Sequence, residues 1–401
     1  MSELPPGWMI SRVGDAFDMQ LGKMLSKEAS AGVEQRCYLT NKNVQWNRLD
    51  FDAINFMSFD SAEREKFRLV RGDLLVTEGG EVGRTAMWEE ERGECYFQKS
   101  LHRLRSRGEI DPRFMLHYMH YAARRRMFTD SVGQTSIAHL PQDKFAKHLI
   151  MHPVDLAVQR RIVAAIDSVA EVARGIEASI AKLRVTRSAV IDSLLGSFDW
   201  SNRLSDVLEG PIRNGFSPVE SASWTGVQML GLGCLTPEGF RADQLKYAPP
   251  SISPRHSAVL VDGDLLMSRA NTRELVGLVG VYRGVGTPCI YPDLMMRLRP
   301  SRKSSAPFLA ATLMATRARR EIRSMAQGTS ESMVKISAGA VKRIRIPLPG
   351  LEEQERILTA SRIATERIES EITEMAKLRA LKQGLVDDLL SGRVAVAAAG
   401  G

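Results

Sequence analysis

The four residues GDLL occur twice, at 72–75 and at 263–266, an offset of 191 residues. The same offset pairs Asp15 with Asp206, Leu39 with Leu230, Asp52 with Asp243 and Phe56 with Tyr247. Past GDLL the offset grows to 194, pairing Val82-Gly83 with Val276-Gly277, Cys95 with Cys289, and RLR at 103–105 with RLR at 297–299. At 195 it pairs Arg124-Arg125 with Arg319-Arg320, Gly133 with Gly328, Gln159 with Gln354, Asp192 with Asp387 and Leu194-Leu195 with Leu389-Leu390. A run of matches in one order, with so little drift, is an internal duplication. The period is too long for a solenoid. The 401 residues therefore reduce to two copies of one unit.

Within a copy, short β-like runs come first: VEQRCYL, FRLVRGDLLVTEG, GRTAMW and CYFQKSLHRLR. Their β-branched and aromatic content and flanking glycines suit strands and turns, and EGGEVGR at 78–84 reads as a turn between two of them. A helical segment follows Pro112 (PRFMLHYMHYAARRRMF), and another follows Pro307 (PFLAATLMATRARREIRSM). Each copy then ends in a long proline-free stretch. In the first, Val158, Ile162, Ala165, Val169, Val172, Ile176, Leu183 and Val190 recur mostly at spacings of three and four. In the second, Ile357, Ala364, Ile368, Ile372, Met375, Leu378, Leu385 and Leu389 do the same. This is a heptad seam. A single helix cannot bury such a seam alone, so the two copies are expected to pack on each other; the alternative is two separate helical hairpins, each lying on its own domain.

The expected fold class is α+β. It has two tandem, pseudo-repeated domains of mixed β-sheet with helices, at 1–153 and 198–348. Two long helices, at 154–197 and 349–392, separate them and pack as an antiparallel coiled coil; residues 393–401 form a frayed tail. About 40 helical residues make a rod of roughly 60 Å.

Composition narrows the class. The chain is 44% hydrophobic and 25% charged, as soluble globular proteins are. No apolar run reaches the roughly 18 residues of a membrane helix, and the first residues do not read as a secretory signal. Four cysteines without CxxC spacing suit a reducing cytoplasm and offer no metal framework. A net charge of +8 permits an anionic partner such as nucleic acid.

Catalytic signatures are missing. There is no NPPY-type motif and no Gly-rich cofactor loop; EGGEVGR is neither GxGxxG nor a Walker loop. YPDLMMRLR at 291–299 lacks the acid-x-lysine of a metal nuclease, and His117 and His120 have no third ligand nearby. Two similar domains on a stiff rod instead suit the reading of spaced DNA half-sites. Loop residues with donor and acceptor groups are the candidates for contact. In the first domain these are Thr40, Asn41, Lys42, Asn43, Thr77, Arg84, Lys99, Gln134, Thr135 and Ser136. In the second they are Ser268, Arg269, Asn271, Thr272, Arg273, Thr329 and Ser330, with Arg269 and Arg273 each offering a fork to a guanine edge. The competing reading is a duplicated coiled-coil scaffold that binds proteins and does not recognise DNA.

The pattern resembles the specificity subunit of type I restriction–modification systems. The resembling features are LPPGW at 4–8, GDLL in each copy, GQTS at 133–136 and GTSES at 328–332 before the long helices, and IRIPLPGLEEQERI at 344–357. The first copy departs from the last of these. IMHPVDLAVQRRI at 150–162 keeps Pro153, Leu156, Gln159 and Ile162 but lacks the LP and the acidic residue. The resemblance implies a non-catalytic subunit with two target recognition domains, each reading one half of a bipartite site in double-stranded DNA. It implies two methyltransferase subunits docked on the helices, with S-adenosylmethionine bound by those partners and no cofactor in this chain. It also implies a separate motor-nuclease subunit that adds cleavage.

Overall fold

The computed structural model describes residues 4–128, 139–328 and 333–394. It divides into two compact units, Met1–Gly175 with Met375–Gly401, and Ile176–Glu374. Both mix strands and helices. In the first, a four-stranded antiparallel sheet runs in the order Phe17–Leu21, Leu101–Ser106, Leu74–Thr77, Thr85–Met87. In the second, Arg213–Asn214, Met295–Leu298, Leu265–Ser268 and Val279–Val281 repeat that order. Each unit adds a three-stranded sheet whose central strand, Gln35–Leu39 or Gln228–Leu230, has one antiparallel and one parallel neighbour. Register is repeated as well: Tyr38 faces Tyr96 as Met229 faces Ile290.

The GDLL segments coincide in detail. Gly72 and Gly263 have φ of 89° and 90°, in the region that favours glycine. Their amides donate to Trp88 O at 2.9 Å and Tyr282 O at 3.0 Å. The next residue, Asp73 or Asp264, accepts from the amide of Val70 or Val261, at 2.9 Å in both. The leucines then enter fully buried strands. The long β-like run FRLVRGDLLVTEG therefore yields only Leu74–Thr77, because the Gly-Asp turn occupies its middle. The RLR repeat serves the same frame. Arg105 grips Asp73 through two bonds of 2.8 Å, and buried Arg297 reaches Asp264 at 3.4 Å.

The long helices span Leu156–Gly196 and Leu351–Leu390. Each gives one half to either unit. In the second unit Ser179 hydrogen-bonds Glu371, while Ile191 shares a core with Ile357. Numbers rise along one helix as they fall along the other, so the pairing is antiparallel. In the first unit Ile162, Val163 and Ile166 share a core with Leu389 and Leu390. The seam of the first helix differs from the expected one: Val172 is 52% exposed, and Ile166 and Ile180 are buried instead. A straight helix has 3.6 residues per turn and drifts against a strict heptad, which moves the buried line by one residue. In the second helix Ser361 and Glu371 are buried alongside Ile357, Ile368, Met375 and Leu389. The Ser179 bond and Arg367 hold the Glu371 carboxyl below its usual pKa.

Two further details separate structure from pattern. The helical segment after Pro307 is two helices, Ala306–Met314 and Thr316–Met325, broken at an extended Ala315. Asp192 stabilises the break, accepting from Thr316 N at 2.8 Å and Thr316 Oγ1 at 2.6 Å. The paired glutamines do one job twice. Buried Gln159 accepts from Asp111 N and donates to Glu109 O and Pro153 O. Buried Gln354 accepts from Ser305 N and donates to Lys303 O and Pro349 O. Each amide ties the start of a long helix to the segment that opens the helix at Pro112 or Ala306. Among the described residues no helix is long and apolar enough to cross a membrane.

Candidate nucleic-acid interface

In the first unit three loops converge. Arg84 donates through Nη2 to Asn41 O at 2.8 Å, and Asn41 N donates to Ser100 Oγ at 3.1 Å. The turn 40–43, the glycine loop 78–84 and the turn before Leu101 thus form one edge. Not every candidate is available there. Asn43 is buried, with its carbonyl accepting from Thr40 and its amino group donating to Asp50 O and Ala53 O. Buried Thr77 donates to Glu81 O and accepts from Arg84 N, which staples the glycine loop. Thr40 spends its hydroxyl on Asn43. Asn41, Lys42 and Lys99 remain at the surface, Asn41 partly and Lys42 and Lys99 exposed. Arg84 is partly committed, to Asn41 O and to Glu81 at 3.3 Å.

Sequence reasoning missed Trp46. It sits at the tip of the hairpin Val44–Gln45 with Arg48–Leu49, beside Asn47 at φ 55°. Its Nε1–H donates to Glu81 Oε1 at 2.6 Å, and its ring stacks on His120 with centroids 4.7 Å apart. Burial, and then the neighbouring Arg124 and Lys382, push the His120 pKa down, which favours the neutral ring in the stack. An Asn able to take a left-handed turn was the only signal, and two-residue strands show no period to read.

In the second unit Ser268 is buried. Asn271 turns its carbonyl back on Thr272 N at 2.8 Å, and Thr272 O receives Leu275 N and Val276 N. These residues shape the loop. Arg269 donates Nη1 to Asp293 O at 3.3 Å, so one arm of its fork is spent on the protein. Arg273 is half-buried. The loop is held from below by Arg319, unremarked as a single residue in the sequence, which donates to Val276 O at 2.7 Å and Glu274 O at 2.6 Å. Burial lowers the Arg319 pKa to about 10. Gln134, Thr135, Ser136, Thr329 and Ser330 lie outside the described residues.

No group of three or more metal-ligating side chains occurs among the described residues. His117 Nε2 lies 3.0 Å from Asp167 Oδ1, and His120 is under Trp46. Buried Ser11 and His152 and the part-exposed Glu109 form a polar cluster that has the composition of a hydrolase triad without its geometry. Ser11 Oγ and Glu109 Oε1 both approach Nε2 of His152, at 3.0 and 3.3 Å, while Nδ1 faces Pro153 O. A triad needs the acid on the nitrogen opposite the serine. This cluster instead locks strand Trp8–Arg12 to Leu149–Pro153.

Residues 5–183 match the family model described as Type I restriction modification DNA specificity domain. The chain is 27% identical over 162 residues to the MjaX type I restriction enzyme specificity subunit of Methanocaldococcus jannaschii, covering 40% of this chain and 38% of that protein. It is 22% identical over 384 residues to the EcoKI specificity subunit of Escherichia coli, covering 89% and 82%. Among solved structures, a chain from work on complex assembly and conformational transition of the type I R-M system aligns with 98% of this chain and 100% of its own length, at a TM-score of 0.57 and 18% identity. Residues 5–183 thus carry the likeness to the type I restriction modification DNA specificity domain, and the sheet order of that unit recurs in the second.

Proposed function

We propose that this chain reads a bipartite DNA sequence, one half-site per unit, and directs partner subunits to it without chemistry of its own. The observation that carries the reading is the point at which the two copies diverge. Frame and register repeat strand for strand, yet the segments after the shared GDLL strand differ, VTEGGEVGR in one and MSRANTREL in the other. A repeated scaffold with changed loops is how two similar domains come to read different sequences. The exposed Lys42 and Lys99 with the partly exposed Asn41 and Arg84 in the first unit, and the half-buried Arg269 and Arg273 in the second, are the proposed contacts. Asn43, Thr77 and Ser268 shape the loops from within. The partners are two methyltransferase subunits, which carry S-adenosylmethionine, joined by a motor-nuclease subunit where cleavage occurs; this chain holds no cofactor. Its place of work is the cytoplasm, where the DNA is.

The test is co-expression with the methyltransferase subunit, followed by mapping of methylated adenines in host DNA. A two-part motif with an unread gap is the expected result. Methylation without such a motif, or complex formation with no salt-sensitive DNA binding, sinks the proposal and leaves the protein scaffold.

A further inference from the structure

We propose that Arg269, Lys335 and Arg343 form a clamp for a backbone phosphate of DNA in the second unit, a contact that the first unit lacks. The inference rests on the DNA-reading proposal above and assigns these residues a positioning role, not a reading one.

The three cations line one hollow of about 490 Å³ together with Ser324, Gln327 and Ser337, and no carboxylate is among its described lining residues. The backbone around it is rigidly paired. Ala270 pairs with Lys335, Ile336 N donates to Arg269 O at 2.9 Å, and Gln327 and Lys335 exchange both amide bonds at 2.8 Å. Two of the cations are also held by side-chain bonds. Arg269 donates to Asp293 O at 3.3 Å and Arg343 to Gly339 O at 3.1 Å. Neither bond neutralises charge, since both acceptors are carbonyls. Lys335 Nζ has no hydrogen bond or ion pair among the described residues. Three positive groups lining one hollow, with no carboxylate among its described lining residues, make it favourable for an anion. Guanidinium, ammonium, hydroxyl and amide donors around a shallow hollow match phosphate oxygens. With Nη1 spent on Asp293, Arg269 is poorly placed for the two-bonded guanine contact its sequence position suggested.

The first unit supplies an internal comparison. There Gly79 bridges His139 as Ala270 pairs with Lys335, and Leu140 N donates to Glu78 O at 2.7 Å as Ile336 N does to Arg269 O. Glu78 thus stands in the place of Arg269, His139 in that of Lys335, and Lys147, after the short helix Gln142–Ala146, in that of Arg343. A carboxylate in that position repels phosphate. The frame is common to both units and the clamp is confined to one.

The experiment is a salt titration of the full chain on random-sequence duplex DNA. It compares the unaltered protein with Arg269→Gln, Lys335→Gln and Arg343→Gln, and with Arg255→Gln, an exposed cation of the same unit outside the hollow. Each clamp variant is expected to lower the slope of log affinity against log salt by up to about one. Each should weaken binding several-fold at moderate salt and leave the methylated motif in cells unchanged, while Arg255→Gln matches the unaltered protein. Slopes equal to the Arg255→Gln control overturn the clamp, and so does a changed motif in Arg269→Gln, which marks a base reader. Failure of the unaltered chain to bind duplex DNA salt-dependently strikes the underlying reading instead. Melting curves distinguish these outcomes from misfolding.

Discussion

Gln354 shows how much one residue can carry. Its buried amide makes four hydrogen bonds, to Ser304, Ser305, Lys303 and Pro349, all within one junction. Gln354→Met keeps the volume and leaves several backbone groups unpaired in a dry site. The expected cost is about 2–4 kcal/mol, read as a lower urea midpoint. A change below about 0.5 kcal/mol would show the junction to be hydrated. Cys37 and Cys95 make a second case. They are 58 residues apart in sequence and read as lone cysteines there. In the structure they stand one residue before the parallel pair Tyr38 and Tyr96. Cys95 Sγ donates to the main-chain O of Cys37 at 3.5 Å and Cys37 Sγ to Glu94 O at 3.2 Å; the adjacent Cys95 thiol, helped by Arg92, lowers the Cys37 pKa to about 7 against the opposing effect of burial. Burial raises Cys234, and Cys289 to about 12; Cys95 is raised by its bond to Cys37 and by burial. Since the thiolate is the nucleophile, iodoacetamide should label Cys37 first, with a rate that climbs as pH rises through about 7. A midpoint at or above the ordinary value of about 8.5 would contradict the pairing.

At the scale of elements, the long helices distinguish a real seam from a periodic pattern. Ile368 is fully buried and Val172 is 52% exposed, although both fall on the heptad read from sequence. Ile368→Ala should cost about 2–4 kcal/mol and Val172→Ala less than about 1 kcal/mol, measured by chemical unfolding. Equal costs would mean that the helices pair in another register. The glycine that closes the divergent loop offers a second check. Gly277 has φ 71°, and an added Cβ would come within 2.4 Å of the Ile322 side chain. Gly277→Ala is therefore strained twice, by backbone and by contact, and should destabilise by about 1–3 kcal/mol. Its equivalent Gly83, at φ 80° and with an added Cβ 2.9 Å from the Phe128 ring, should behave alike. This agreement between copies is structural. The Val-Gly repeat was legible in the sequence, but Phe128 and Ile322 as its neighbours were not: they too stand 194 residues apart, yet they are not identical residues and no local pattern links either to its glycine.

For the whole molecule, the long helices are the elements that both units share, each unit holding one half of either helix. Inserting one heptad in each, after Gly175 and before Met375, adds about 10 Å of helix and nearly preserves the seam. If the half-sites are spaced by these helices, the unread gap in the methylated motif should lengthen by about three base pairs. An unchanged gap, mapped in the same methylation assay, would mean that the helices do not set it.

The sequence by itself determined that the chain is a duplicate, that each copy is a mixed domain followed by a long helix, and that GDLL belongs to the shared frame. These features are legible because they are local or periodic: a glycine turn, a buried strand, a heptad, a repeated offset. Which loop residues are free to touch a ligand was decided only by the tertiary structure. Asn43 and Arg269 look equally available in the sequence, yet the first is consumed by four hydrogen bonds and the second opens on a hollow with Lys335 and Arg343. The reason is physical. A polar side chain's availability depends on which donors and acceptors the fold brings within about 3 Å, and those partners come from segments that no local pattern connects.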